Sequence, residues 1–198
     1  LILICSFNAN TATSKTVLIT GANRGLGLEL VKQYSEDGWS VIATSRSPHD
    51  DEDLKQLSAS SSILQIKKLD VTNKDDLSRL VKELDGLPID VIINNAGILG
   101  DPKTQIMGNL DFESAKKIFN TNALGPLRIA EALHENLKAG DEKKLINISS
   151  IVGSLQLAKG NIHFYRASKA ALNMIMHNLA AEMKKDQIII GLIHPGVV

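Results

Sequence analysis

The sequence predicts an α/β fold: a doubly wound parallel sheet with helices packed on both faces. Three observations predict it. Short, nearly unbroken apolar runs of strand length recur along the 198 residues. Amphipathic stretches of helical length lie between them, and a glycine-rich turn joins the first run to the first such stretch. Strand and helix alternating throughout require right-handed crossovers between parallel strands, and no repeat or low-complexity tract interrupts them.

Residues 1–14 read as an N-terminal arm outside this pattern, frayed or residual, because LILICSFNA is too short to span a bilayer and has no basic flank. The domain then runs from 15 to 198. TVLIT (16–20) is the first strand, and the helix after it shows Leu26, Leu30, Val31 and Tyr34 at helical spacing. SVIATS (40–45) is the second strand. The polar stretch SPHDDEDLKQLSASSS is a loop carrying one short helix, and ILQIKKLD (63–70) is the third strand. Thr72 and the acidic residues after it suit a helix start, with Leu77, Leu80, Val81 and Leu84 forming its apolar stripe. IDVIINN (89–95), KLINISS (144–150) and QIIIGLI (187–193) supply the remaining strands. Helices from Pro126 to Leu137 and from Phe164 to Met183 carry Leu, Ile, Ala and Met stripes. The last apolar run, IIIGLIHPGVV, is one a natural terminus seldom leaves open to water, so the chain reads as a fragment truncated at its C-terminus.

Composition narrows the function. With 22 basic and 22 acidic residues, no electrostatic argument favours nucleic acid or a membrane surface as partner. The single cysteine, Cys5, excludes an internal disulfide and fits a reducing compartment, so a cytoplasmic protein is expected. The histidines show no ligand spacing such as HExxH, and no metal site is expected.

In such sheets ligands bind beyond the carboxyl ends of the strands. There TGANRGLG sets Gly21, Gly25 and Gly27 between strand and helix, with Asn23, Arg24 and Leu26 among them. Glycines allow positive φ and let backbone amides approach a pyrophosphate at the positive end of the helix. The spacing is GxxxGxG, and no P-loop lysine accompanies it, which disfavours a nucleoside triphosphatase. An NAD-selective site places a carboxylate at the end of the second strand. Here Ser45 and Arg46 stand there instead, and with Arg24 they suit the extra phosphate of NADP, so NADP(H) is expected over NAD(H). At the end of the third strand, beside Val71, Asp70 either accepts from the adenine amino group or caps the following helix.

FYRASKAAL places Tyr165 and Lys169 four residues apart, on one face of a helix. A free phenol titrates near 10, and an ammonium one turn away, together with an oxidised nicotinamide, is expected to draw that value down toward neutrality.

The ordered motifs TGANRGLG, NNAG (94–97), NTNALG (120–125), NISS (147–150), YRASK (165–169) and HPG (194–196) make the sequence resemble the short-chain dehydrogenase/reductase family. Within the family it resembles the branch of the bacterial C-factor proteins and the insect carbonyl reductase sniffer. The resemblance implies a Rossmann fold and a carbonyl or alcohol as small-molecule substrate. It also implies pairing through the helices after NTNALG and at YRASK, as a homodimer or homotetramer. It implies Tyr165 as general acid, Lys169 as its partner and Ser150, rather than Ser149, as the hydroxyl that holds the substrate carbonyl. Asn122 is then the residue tying a water-linked proton path to the lysine. Asn94, Asn95, Ala96 and Gly97 lie against the cofactor, which Tyr165 and Lys169 also touch, and Pro195 and Gly196 form the nicotinamide-side turn. The function so implied is NADPH-dependent carbonyl reduction. The alternative is a C-factor-like signalling protein that binds NAD(P) with little turnover.

Overall fold

The computed structural model describes residues 14–158 and 160–196. Six parallel strands, β1 (Thr16–Ile19), β2 (Ser40–Ser45), β3 (Leu64–Lys68), β4 (Val91–Asn94), β5 (Lys144–Ile148) and β6 (Ile189–Ile193), form one sheet in the order β3-β2-β1-β4-β5-β6. The order reverses between β1 and β4, and a crevice opens at the carboxyl ends of a doubly wound sheet at that point. The central runs are strands for the predicted reason, since β1 and β4 are buried along their whole length, whereas the edge strands β3 and β6 are partly exposed. Successive side chains serve opposite faces, with Val17 and Ile19 in the core layer under one helix group and Leu18 in the other.

The first layer packs α1 (Gly25–Glu36) and α2 (Glu52–Ala59) on the sheet through Leu28, Val31 and Leu54. The second holds α3 (Lys74–Glu83), α5 (Gly125–Ala132), α6 (His134–Ala139) and α7 (His163–Met183), meeting at Leu80, Ile129, Leu133, Leu172 and Met176. Asn73, not Thr72, starts α3: its side chain accepts from the amides of Asp75 and Asp76. The single helix expected from Pro126 to Leu137 is divided, because Leu133 leaves helical geometry at φ −111°, ψ 20°. Helix α4 (Phe112–Phe119), which the sequence reading leaves unassigned, starts at the cap residue Asp111.

Of the predicted arm, residues 1–13 lie outside the described residues. Ser14 belongs to the fold, since its hydroxyl donates to the Gly38 carbonyl at 2.9 Å and accepts from the Ser40 amide at 3.1 Å. No helix among the described residues is long and apolar enough to cross a membrane.

Candidate active site

The crevice is a cleft of about 800 Å³ whose walls include thirteen of the residues predicted to hold a cofactor: Gly21, Asn23, Arg24, Gly25, Leu26, Gly27, Ser45, Arg46, Asp70, Val71, Asn95, Ala96 and Gly97. The glycine turn is built by close approach. A Cβ on Gly27 would lie 2.3 Å from the Gly21 carbonyl oxygen and 2.5 Å from the Asn95 amide nitrogen. Gly25, at φ +54°, instead has nothing within 4 Å of its would-be Cβ, so bare backbone faces open space there. Arg24 stands at the N-cap of α1 with no side-chain cap bond, which leaves the first-turn amides without a local side-chain acceptor. This is the positive end of a twelve-residue helix.

Long-range bonds hold the NNAG segment against that turn. The Asn95 side-chain amide donates to the carbonyls of Thr20 (3.0 Å) and Gly21 (2.9 Å), and the Thr20 hydroxyl accepts from the amides of Asn95 and Ala96. Asn94 is buried and donates to the Asn147 side-chain oxygen at 2.9 Å, and Asn147 donates onward to the Gly191 carbonyl at 3.2 Å. Amides thus bridge β4, β5 and β6 just below the cleft, where an apolar residue would leave its neighbours unpaired.

Beside Gly97 the cleft meets the second cluster. A Cβ at Gly97 would lie 3.4 Å from the Asn122 side-chain oxygen and 3.8 Å from the Lys169 Nζ. Asn122, 1% exposed, donates to the Ile98 carbonyl and accepts from the Ile98 amide, both at 2.8 Å, and donates to the Ser168 hydroxyl at 3.1 Å. It sits in a π-helical turn, Asn120–Leu124, between α4 and α5. The Gly125 amide reaches back to the Asn120 carbonyl, and Pro126, which has no N–H, cannot donate to the Asn122 carbonyl. The widened turn leaves the Asn122 carbonyl without its ordinary helical donor.

Lys169 is 5% exposed, and its ammonium donates to the Ile148 carbonyl at 2.8 Å and lies 5.8 Å from the Tyr165 ring centroid. Burial draws its pKa down to about 8. Ser150 is the neighbour whose hydroxyl favours ionisation of the Tyr165 phenol. Ser149 turns elsewhere, its hydroxyl donating to the Asn173 side-chain oxygen at 2.6 Å, so Ser150 is the serine beside the phenol. The expected lowering of the phenol does not occur in the protein alone. Burial pushes Tyr165 above its ordinary value, and the neighbouring Ser150 hydroxyl offsets only part of that. The ammonium sits over the ring and is anchored to a carbonyl, so the loss of water around the phenol dominates.

Asp70 accepts from both the amide and the hydroxyl of Thr72, at 2.8 and 2.7 Å, and so shapes the turn before α3 without capping the helix. Pro195 and Gly196 follow β6 after His194, at the same carboxyl edge of the sheet, and do not line the cleft. Among the described residues no group of three or more His, Cys, Asp or Glu is placed to hold a metal ion.

Two residues in or behind the site escape sequence reading. Asp51 lines the cleft and takes hydrogen bonds from Asn23 and Ser45. Gln105, fully buried, accepts from the Tyr165 amide at 2.9 Å, while its amide group donates to the Leu99 carbonyl at 2.7 Å. Because Ile162 offers α7 no side-chain cap, this bond from sixty residues away fixes the first turn that carries Tyr165. Neither residue has a motif to announce it, since both act through loops folded against distant segments.

The family model for short chain dehydrogenases matches residues 15–198. C-signal of Myxococcus xanthus is 37% identical over 112 residues, 56% of this chain and 66% of that protein. A carbonyl reductase from Pseudomonas aeruginosa, solved in complex with NADP, superposes with a TM-score of 0.84 at 33% identity, covering 93% of this chain and 83% of that one. The carbonyl reductase Sniffer of Drosophila melanogaster gives 0.85 at 29% identity, covering 92% and 81%. A match that runs through the entire described fold makes this chain a member of the short-chain dehydrogenase/reductase family, and so an oxidoreductase of that family.

Proposed function

We propose that the chain is an NADPH-dependent carbonyl reductase in which Tyr165 acts as general acid. The observation that carries this reading is the grouping of the Tyr165 phenol, its Ser150 partner and the buried Lys169 ammonium beside the Gly97 wall of the cleft.

The cleft fits a nicotinamide dinucleotide. The uncapped start of α1 and the open backbone at Gly25 suit a pyrophosphate, and Arg24 and Arg46 suit a further phosphate on the ribose. Asn95, Ala96 and Gly97 would back the same nucleotide, and Pro195 and Gly196 would approach it from beyond β6. The cofactor, when bound, supplies the hydride. Tyr165 holds its proton throughout the neutral range, because burial raises its pKa, and can release it to a carbonyl oxygen. Ser150 donates a hydrogen bond to the same oxygen as negative charge develops there. The Lys169 ammonium stabilises the phenolate that proton release leaves behind, and Asn122 holds Ile98 and Ser168 around it.

Sequence kinship with C-signal favours a second reading, a nucleotide-binding signalling protein with little turnover. Exposed Leu124 and Met174, on the helical side, support pairing of two chains there.

The experiment supplies the chain with NADPH deuterated at its transferable position and a panel of aldehydes, ketones and quinones. An aldehyde or ketone should give an alcohol with one deuterium on the former carbonyl carbon, and a quinone should give the hydroquinone with equimolar loss of NADPH. Nucleotide binding without labelled alcohol or hydroquinone from any of them would favour the signalling reading.

A further inference from the structure

We propose that Asp51 sets how far the chain discriminates between NADP(H) and NAD(H). The inference rests on the reading that the cleft takes a nicotinamide dinucleotide with its adenosine ribose beside Ser45. Asp51 precedes α2, and its carboxylate closes the corner where the glycine turn meets the end of β2. One oxygen accepts from the Asn23 amide at 3.0 Å, and the other accepts from the Ser45 hydroxyl. Among the described residues no Lys, Arg or His lies within ion-pair distance of that carboxylate.

The consequence is electrostatic and opposite for the two nucleotides. Arg24 and Arg46 line the same cleft and attract a ribose phosphate, whereas Asp51 repels it with an unneutralised charge. A ribose 2′-hydroxyl meets the reverse situation, because a carboxylate accepts its proton in a hydrogen bond. Asp51 therefore narrows the advantage that the arginines give to NADP and keeps NAD a competent ligand. Its bonds to Asn23 and Ser45 fix the carboxylate in place, so the charge cannot swing away when a phosphate arrives.

Calorimetric titration of NADP⁺ and NAD⁺ into wild type, Asp51→Asn and Ser45→Ala provides the test. Asp51→Asn keeps an oxygen to accept from a neighbour and removes the charge. It should tighten NADP⁺ about tenfold, leave NAD⁺ unchanged or weaker, and lose most of the NADP⁺ gain at about 1 M salt, where charges are screened. Ser45→Ala, which keeps the carboxylate, should not tighten NADP⁺. Parallel weakening of both nucleotides in Asp51→Asn would show a loop-shaping residue and overturn the inference alone. A wild type with no NADP⁺ preference would overturn the role given to the arginines, while a raised ratio in Asp51→Asn would still uphold Asp51. Binding of neither nucleotide to wild type would overturn both.

Discussion

Replacing Tyr165 by Phe should lower the rate of carbonyl reduction by about 10²–10⁴-fold, the range a positioned general acid contributes. The substitution removes one oxygen and leaves the ring that lies 5.8 Å from the Lys169 Nζ. Loss of the phenol oxygen beside Ser150 should cost no more than about 1 kcal/mol of stability, too little to unfold the domain. The phenol does not line the nucleotide cleft, so NADPH affinity should change by no more than about threefold, or ~0.7 kcal/mol. Stopped-flow measurement of NADPH consumption, with a parallel binding titration, separates these quantities. Equal rates in both proteins would remove Tyr165 from the chemistry.

The second large effect lies at the opposite edge of the sheet. Asp90 is 7% exposed at the entry to β4, and its carboxylate accepts from the amides of Thr16 (2.8 Å), Asp141 (2.8 Å) and Glu142 (3.2 Å). It thereby ties together the starts of β1, β4 and β5. Asp90→Ala leaves these donors without their acceptor, and at ~1–3 kcal/mol for each buried unsatisfied group, with partial rehydration, the loss should be about 3–5 kcal/mol. Asp90→Asn keeps one acceptor oxygen and should lose roughly half as much. Urea denaturation measures both. Because Asp90 lies far from the carboxyl-end cleft, folded Asp90→Ala should bind nucleotide like wild type, and a loss below about 1 kcal/mol would show that water replaces the carboxylate.

These two residues illustrate what the sequence makes legible. Strands were readable because a sheet covered on both faces demands unbroken apolar runs, and the glycine turn because its position after β1 restricts what it can do. Tyr165 and Lys169 were readable from a local spacing that the helix preserves. Asp90, Asp51 and Gln105 were not, since each makes its bonds across tens of residues or between loops. The π-turn at Asn120–Leu124 left one trace, Gly125-Pro126, where a missing N–H relaxes the helical ladder. The spacing reports the cation one turn from Tyr165 and says nothing of burial, which in the protein alone outweighs it and raises the phenol.

In the proposed reduction a phenol raised above its ordinary value keeps its proton for donation, and the work of stabilising the resulting phenolate would fall to Lys169. On the ~6 Å scale of the distance from the ammonium to the ring centroid, and at an effective dielectric of ~20, the ammonium would contribute about 3 kcal/mol, close to a hundredfold in rate. The contribution lasts only while the lysine is protonated. Since burial lowers the Lys169 pKa to about 8, the charged form prevails below that pH and is lost above it, while Tyr165 remains protonated.

The pH dependence of the reduction rate, compared between wild type and Lys169→Met, therefore tests the proton-donor arrangement most directly. Wild type should be fast and level at low pH and fall through a single limb near 8. Lys169→Met should be slow and level across the same range. A wild-type rate that stays level through that limb, or a variant that keeps it, would contradict the role of the lysine-supported phenol.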